Sequence, residues 1–267
     1  MLTDKPASRI SLLLLLLTLG VGLGAESIRA QNPRSPSETV REFYKALREK
    51  RFREAFALSI YKPALEGLSK QEYDDLVPDF EKMAVAVAQR IPANVEITGE
   101  QVSTEVATVF MKVLDADDKE KLEQATLLKT SDGWILGDPE SQAMVKQAGK
   151  KFFFNARIDA HHNDVQDMMT RISLVQVVYS QQHNGQFGDL PTLIGAGLLP
   201  KDLEGTESTG YRFRINLTPG GKSWSAAAEP AQYGRTGRLS FFLDASGVRS
   251  GDTGGKPLPP SPLKLKQ

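Results

Sequence analysis

Two adjacent histidines lie among aspartates in one stretch of the chain, and imidazoles beside carboxylates are side chains that bind metal ions. The stretch holds His161 and His162 together with Asp159, Asp164 and Asp167. On a helix, residues three or four apart share one face, so a histidine and an aspartate at that spacing could act together. Adjacent histidines point about 100° apart, however, and only one of them can join a given carboxylate. The polar face of an amphipathic helix explains the same residues, and the sequence predicts no metal and no cofactor.

A second short motif has the residue types that end a phosphate-binding loop. Gly221-Lys222-Ser223 provides a glycine, a lysine and a hydroxyl in the required order. Such a loop also needs a glycine five residues before its last glycine and a helix after the serine. Asn216 stands at the first of these positions, and the residues from Trp224 onward are typical of a strand. The motif therefore predicts a hairpin turn.

The composition excludes several other chemistries. The 267 residues carry 33 Lys and Arg against 33 Asp and Glu, and they include no cysteine. Without cysteine there is no disulfide, no thiol nucleophile and no cysteine-ligated zinc. A general nucleic-acid-binding protein needs a basic excess to neutralise phosphates. The balanced charge therefore predicts no nucleic acid partner.

The N-terminus has the pattern of an export signal. Lys5 and Arg9 precede an apolar run over residues 10–25 that ends in small side chains. The run is shorter than the roughly 20 residues that a membrane-spanning helix needs, and its layout is typical of a cleaved signal. We expect a signal peptide over residues 1–30, or a retained anchor in the inner membrane that would be the only membrane contact. In both cases we expect the rest of the chain to be exported to the periplasm or the cell surface.

The following residues combine helical and strand patterns. Ser35 with Glu38, and Ser69 with Glu72, form capping boxes that predict the starts of two helices. Pro78 predicts a kink in the second helix or its division in two. Strand patterns separated by polar turns follow at residues 95–97, 106–114, 122–130 and 134–136. Helices followed by an antiparallel meander predict an α+β layer, with the helices packed on one face of a curved antiparallel sheet.

The order of these elements resembles exported nuclear transport factor 2-like (cystatin-like) domains. The resemblance rests on the runs SPSETVREFYKAL and RFREAFAL and on the closing strand DGWIL, and it covers residues 35–139. It implies a conical pocket, which in this chain would involve Tyr44, Tyr73 and Trp134. Some proteins of that superfamily are enzymes, such as ketosteroid isomerases and dehydratases, and many are binding or assembly modules.

The residues of this first unit do not provide the base that such an enzyme uses. The chemistry needs an Asp or His in an apolar pocket, often with a tyrosine as hydrogen-bond donor. No histidine lies between residues 35 and 139, and Asp79 follows Pro78 in a polar context that favours a solvated carboxylate. The sequence therefore predicts no catalytic residues and a protein that is not an enzyme.

Residues 142–182 favour helix almost throughout. An unbroken helix of that length would exceed the diameter of a small domain, so a break is expected near Gly149. A helix over residues 140–154 is expected to link two domains. The apolar cluster at its end consists of Phe152, Phe153 and Phe154. These phenylalanines predict either a seam between the domains or an exposed docking patch.

Residues 155–252 resemble the globular part of bacterial type IV pilins and pseudopilins. The resemblance rests on GQFG and GAGLLP after the helix and on AEPAQYGRTGR and SFFLDASGV further on. It implies a long helix followed by a small antiparallel sheet. Strand patterns lie at residues 211–217, 223–229 and 239–244, and residues 246–249 finish the last of them. The apolar half-helix through which pilins polymerise is replaced by the first unit, so we expect a docking module that does not polymerise. The Pro- and Lys-rich residues 253–267 are expected to be disordered.

These patterns predict an exported, non-enzymatic binding or interaction protein of the bacterial envelope. Its expected partner is an envelope protein, in particular one of the type IV pilus or type II secretion machinery. One alternative is a small-molecule carrier, or an enzyme, that uses the pocket of the first unit. The other alternative is a structural spacer.

Overall fold

Two four-stranded antiparallel sheets and one long helix form the framework of the protein. The computed structural model describes residues 34–115, 117–206 and 209–260. The predicted export signal lies outside these residues. Within the described ranges, no helix is both long and apolar enough to cross a membrane. The predicted α+β class is confirmed.

The first layer contains four helices and then four strands. The elements are α1 (Pro36–Arg48), α2 (Phe52–Ala57), α3 (Lys62–Glu66), α4 (Lys70–Arg90), β1 (Ile97–Val102), β2 (Val106–Leu114), β3 (Glu120–Thr130) and β4 (Gly133–Leu136). The strands pair in chain order, each antiparallel to the next. All four lie at or beside the predicted segments, whereas the short helix α3 was not predicted.

Capping boxes start α1 and α4, as predicted. At α1 the Ser35 hydroxyl accepts a hydrogen bond from the N–H of Glu38, and the Glu38 carboxylate accepts one from the N–H of Ser35. Ser69 and Glu72 repeat the arrangement at α4. The bond from the backbone N–H of the serine lowers the pKa of each glutamate below its usual range. Each box satisfies donors that a helix start otherwise leaves unpaired.

The core of the first layer follows the two-residue period of its central strand. In β2 the side chains at every second position are buried, and they pack with Val40 of α1 and Trp134 of β4. The four buried residues of β2 are Ala107, Val109, Met111 and Val113. This alternation places one face of the sheet against the helices.

The second layer follows β4 along the chain. It comprises α5 (Pro139–Ala148), α6 (Phe152–Gln182), α7 (Leu190–Gly195), β5 (Tyr211–Leu217), β6 (Trp224–Pro230), β7 (Leu239–Asp244) and β8 (Gly247–Asp252), with single turns of 3₁₀ helix at Gly149–Lys151 and Lys201–Glu204. The strands β5 to β8 again pair antiparallel in chain order. The positions of β5, β6 and β7 agree with the predicted strands, whereas β8 was not predicted as a separate strand. The Gly220–Gly221 turn joins β5 to β6 as a hairpin.

The predicted linking helix is two separate elements. α5 ends at Ala148, and its buried residue Val145 packs with Ile60, Ala64 and Leu128 of the first layer. α6 starts at Phe152 and is continuous to Gln182. A helix over residues 140–154 is therefore not observed, because Gly149 breaks it as the sequence predicted.

A single helix contributes to the cores of both layers. Near its start, Phe154 packs into the helical core of the first layer with Phe56 and Phe80. Further along, Val165 and Met169 pack beneath the second sheet. The described residues belong to one compact unit.

Replacing Gly149 with alanine is expected to destabilise the protein by about 1–2 kcal/mol. Gly149 has φ +52° and ψ −136°, a conformation that a Cβ disfavours, although no atom would lie within 4 Å of that Cβ. The cost is therefore one of backbone conformation alone. Gly195→Ala is the matched control, because Gly195 has open space and an ordinary φ. Urea unfolding measures both, and equal midpoints would contradict the prediction.

A buried tyrosine joins β5 to β7 within the second sheet. Tyr211 is fully buried, and its hydroxyl donates a 2.8 Å hydrogen bond to the carbonyl of Leu239. Burial raises the pKa of Tyr211 above its usual range. Gly237 lies directly against the ring, so that a Cβ there would be 2.0 Å from the tyrosine hydroxyl.

Part of the predicted disordered tail lies against the second sheet. The Ser240 hydroxyl donates to the carbonyl of Lys256 at 2.7 Å, and Arg249 donates to the carbonyl of Pro259 at 3.2 Å. Residues 253–260 are thus held by hydrogen bonds to β7 and β8. Backbone carbonyls make these bonds, so the Pro-rich composition does not prevent them. Residues 261–267 lie outside the described part of the chain.

Candidate functional site

A cleft lies where α4, α6 and the loops of the second sheet meet. It consists of two adjoining cavities of about 300 Å³ each. Four residues line both cavities: Asp79, Lys82, Arg157 and His161. We call the two together the junction cleft.

The two cavities have different walls. One is mainly apolar, and its wall comprises Leu76, Phe80, Met83, Phe153, Ala156 and Ala160, with Asp164 at its edge. The other is more polar and lies against the second sheet. Its further lining residues include Asp75, Pro78, Thr206, Gly210, Gln232 and Thr236. The cleft therefore places an apolar pocket beside groups that can form hydrogen bonds.

A buried arginine joins α6 to α4 beside the cleft. The Arg157 side chain is only 9% exposed, and its Nε donates to the Asp79 carboxylate at 2.6 Å. Its Nη2 donates to the backbone carbonyl of Asp75 at 2.6 Å, and its Nη1 lies 3.4 Å from the Asp75 carboxylate. A guanidinium is suited to this geometry because its donors form a rigid planar fork. The sequence favoured a solvated Asp79, and that expectation is wrong because the carboxylate is paired with Arg157. The partner lies 78 residues away along the chain, so the residues around Asp79 do not indicate it.

Pro78 lies inside α4, which is nevertheless one helix from Lys70 to Arg90. Its division into two helices is therefore not observed. A proline has no N–H, so the carbonyl of Asp74 loses its partner within the helix. The next carbonyl, that of Asp75, is the one that accepts the bond from Arg157.

A second arginine brings the loop between β6 and β7 into the same cluster. Arg235 donates to the Asp75 carboxylate at 2.9 Å. The guanidinium carbons of Arg157 and Arg235 lie 5.4 Å and 5.2 Å from the centre of the Phe154 ring, within cation–π range. We call Asp75, Asp79, Arg157 and Arg235 the ionic clasp. It connects both layers, and it leaves neither aspartate free of a cation.

The two adjacent histidines bind the loop between β6 and β7 rather than a common ligand. His161 Nδ1 donates to the carbonyl of Thr236 at 2.8 Å, which leaves Nε2 with no partner among the described residues. His162 Nε2 accepts from the N–H groups of Arg238 and Leu239 at 3.1 and 3.2 Å. Across the described ranges, no three His, Asp or Glu side chains group in a way that could hold a metal ion.

Two further polar groups of the cleft lack partners within the described ranges. Lys82 is an exposed residue of α4, and Asp164 is an exposed residue of α6. Both line the apolar cavity, and the side chain of neither has a hydrogen bond or an ion pair with any residue that the structure describes. Sequence reasoning considered Asp164 only as a metal ligand and did not single out Lys82. The spacing of Phe154, Ile158 and His161 along one face of α6 is the signal that points towards this region.

The predicted pocket residues Tyr44, Tyr73 and Trp134 lie in or against the cores of the first layer. Tyr44 packs edge-on against Phe43, and burial raises its pKa to about 12. Tyr73 lies under the Arg53 guanidinium in the helical core, and Trp134 is buried in the sheet core. None of the three lines the junction cleft. A pocket at these three residues therefore stays a prediction.

The three consecutive phenylalanines form a seam. Phe154 is buried, and Phe152 and Phe153 are half-buried. Phe153 packs against Phe56, Tyr61 and Phe80, with ring centres 5.2, 5.8 and 5.0 Å apart. An exposed docking patch at these residues is therefore not observed, because their rings complete the core of the first layer.

Comparisons with known proteins leave the family open. No family model matches the sequence, and no curated protein matches it. Among solved structures, the chain is similar to a provisionally assigned NTF2-like transpeptidase from Campylobacter jejuni, at 15% identity and a TM-score of 0.28. The match covers 39% of this chain and 97% of that chain. Values this low support no conclusion about fold or activity, so both predicted resemblances stay predictions.

Replacing His162 with glutamine is expected to flatten the pH dependence of stability. Burial lowers the pKa of His162, with smaller opposing effects of Asp159 and additional lowering by Arg238 and His161. The unfolded state then binds more protons, so stability is full above about pH 6.5 and falls as the pH drops through the lowered pKa. Urea unfolding from pH 7 to pH 5 should show a larger loss for the wild type than for His162→Gln. Parallel curves would contradict the prediction.

Proposed function

We propose that this chain is a non-enzymatic binding protein of the bacterial envelope, and that it holds a small ligand in the junction cleft. The observation that carries the proposal is an apolar-walled cavity of about 300 Å³ lined by Lys82, His161 and Asp164, each with an unpartnered polar group among the described residues. Apolar walls with a few polar groups are typical of ligand sites. The clasp supports binding rather than catalysis, because arginines already occupy the carboxylates of Asp75 and Asp79.

The proposal is tested with N-phenyl-1-naphthylamine, a neutral apolar dye that fluoresces when it leaves water. We expect saturable binding of one dye per protein molecule. Ala160→Phe should abolish it, because Ala160 lines the apolar cavity and is exposed enough to accept a larger side chain. Ala86→Phe is the matched control, since Ala86 is an exposed residue of α4 outside the cleft.

Two outcomes would overturn the proposal. One is the absence of saturable dye binding to the wild type. The other is equal binding by Ala160→Phe and Ala86→Phe when thermal unfolding shows both variants to be folded.

A second candidate function is contact with a protein of the type IV pilus or type II secretion machinery. The observation that favours it is a row of apolar side chains on the exposed face of α6. Leu174 is 65% exposed, and Val177 and Val178 lie one turn further along the same face at 53% and 44%. A photo-crosslinker at Leu174 in producing cells should capture a pilus or secretion subunit, whereas one at the exposed Lys70 should not. Capture of no such subunit, or equal capture from both positions, would reject this candidate.

A further inference from the structure

The formal charges around the junction cleft cancel once the ionic clasp is counted. Asp75 and Asp79 face Arg157 and Arg235, which leaves two carboxylates against two guanidiniums. The remaining charged groups of the apolar cavity are Lys82 on α4 and Asp164 on α6. A ligand with a single charge could pair with only one of these two side chains. A ligand that carries one negative and one positive charge could pair with both.

The unpartnered groups divide into one donor and two acceptors. Lys82 offers an ammonium group, which donates to an anion. Asp164 offers a carboxylate, which accepts from a cation. Because His161 uses Nδ1 to donate to Thr236, the neutral form of its ring presents a lone pair at Nε2, which is a second acceptor.

The apolar wall sets the third property of the ligand. Leu76, Phe80 and Met83 of α4 line the cavity together with Phe153, Ala156 and Ala160 of α6, and the two small alanines leave space for a ligand. The volume of about 300 Å³ is at the lower end for ligand pockets. A small apolar group is therefore expected beside the charged head group.

We infer that the ligand is an α-amino acid with an apolar side chain. Its carboxylate lies at Lys82, its ammonium group lies at Asp164 and His161, and its side chain packs on the apolar wall. This inference rests on the proposed function, because it specifies the ligand of the same cleft.

The test compares three molecules as competitors of the dye. L-Phenylalanine has both charges, L-phenylalaninamide lacks the carboxylate, and 3-phenylpropionate lacks the ammonium group. We expect L-phenylalanine to displace the dye at concentrations about tenfold lower than either analogue, since each loses one charged hydrogen bond.

Two variants assign each charge to its partner. In Lys82→Gln, L-phenylalanine should lose its advantage over L-phenylalaninamide and keep its advantage over 3-phenylpropionate. In Asp164→Asn the reverse is expected. Asp167→Asn on the same helix and Lys70→Gln on α4 are controls outside the apolar cavity, and they should behave as the wild type.

The outcomes separate this inference from the proposed function. If the dye binds in the cleft but the three competitors displace it equally, the inference is wrong and the proposed function stands. If L-phenylalanine is preferred but Lys82→Gln and Asp164→Asn keep the full preference, the assignment of the two charges is wrong. If the wild type shows no saturable dye binding, or if Ala160→Phe does not reduce it, the proposed function fails and the inference fails with it.

Discussion

Arg157→Met is expected to lower the free energy of unfolding by about 3 kcal/mol, which is at the lower end for breaking a buried ion pair. Methionine keeps much of the length of the side chain but removes every donor of the guanidinium. The carboxylate of Asp79 would then keep no partner, and the carbonyl of Asp75 would lose its 2.6 Å bond. The lower end applies because the side chains of Asp75 and Asp79 are each 34% exposed and water can partly replace the arginine. Urea unfolding at neutral pH measures the loss.

Lys50→Met is the matched control for that variant. Lys50 pairs with Glu81 at 2.8 Å, but the two side chains are 61% and 44% exposed. Exposed pairs of this kind contribute about 0.2–1 kcal/mol. If both variants lost the same stability, the ionic clasp would be no more than a surface contact and its role in joining the layers would be refuted.

Gly237→Ala is expected to cost about 3 kcal/mol, the combined effect of overpacking and of a weakened buried hydrogen bond. The added methyl group would lie 2.0 Å from the Tyr211 hydroxyl and 2.4 Å from the ring carbon that carries it. The ring cannot move aside freely, because it is fully buried and bonded to Leu239. Thermal and urea unfolding should both report the loss.

Two variants separate the causes of this effect. Tyr211→Phe removes only the hydrogen bond, and it should cost about 1–2 kcal/mol because the carbonyl of Leu239 is left without its donor. Gly205→Ala is the steric control, since nothing lies within 4 Å of its added Cβ. A stable Gly237→Ala variant would show that Tyr211 does not need its observed position.

Local patterns in the sequence were sufficient to predict most helices and strands. The capping boxes at Ser35 and Ser69 depend on residues three apart, and the alternation in β2 depends on neighbours two apart. The break at Gly149 likewise depends on the conformational freedom of one residue. Each of these signals is complete within a few residues of chain.

The contacts that form the candidate site depend on distant residues and could not be predicted. Arg157 reaches residues 78 and 82 positions away, and Arg235 reaches Asp75 across 160 positions. Gln176 is another residue whose partner is distant in the sequence. It is fully buried in the apolar stripe of α6. Its amide both donates to and accepts from the backbone of Gly188. A single sequence does not show which polar residue in a stripe will find such a partner.

The predicted pocket residues lie in or against the core for a related reason. Tyr44, Tyr73 and Trp134 have the residue types that line ligand sites, but the same types also fill cores. Whether space remains between aromatic rings depends on how they pack, and here Tyr44 contacts both the helical core and the sheet core of the first layer.

Because α6 contributes to the cores of both layers, neither layer is expected to be stable as an isolated fragment. A fragment ending at residue 151 would lack Phe153 and Phe154 and would leave the rings of Phe56 and Phe80 facing water. A fragment starting at residue 155 would carry Arg157 without the aspartates that neutralise it. Cutting the chain at this point, by proteolysis or in a gene fusion, would thus yield two incomplete pieces. The two layers are therefore expected to occur together in one chain.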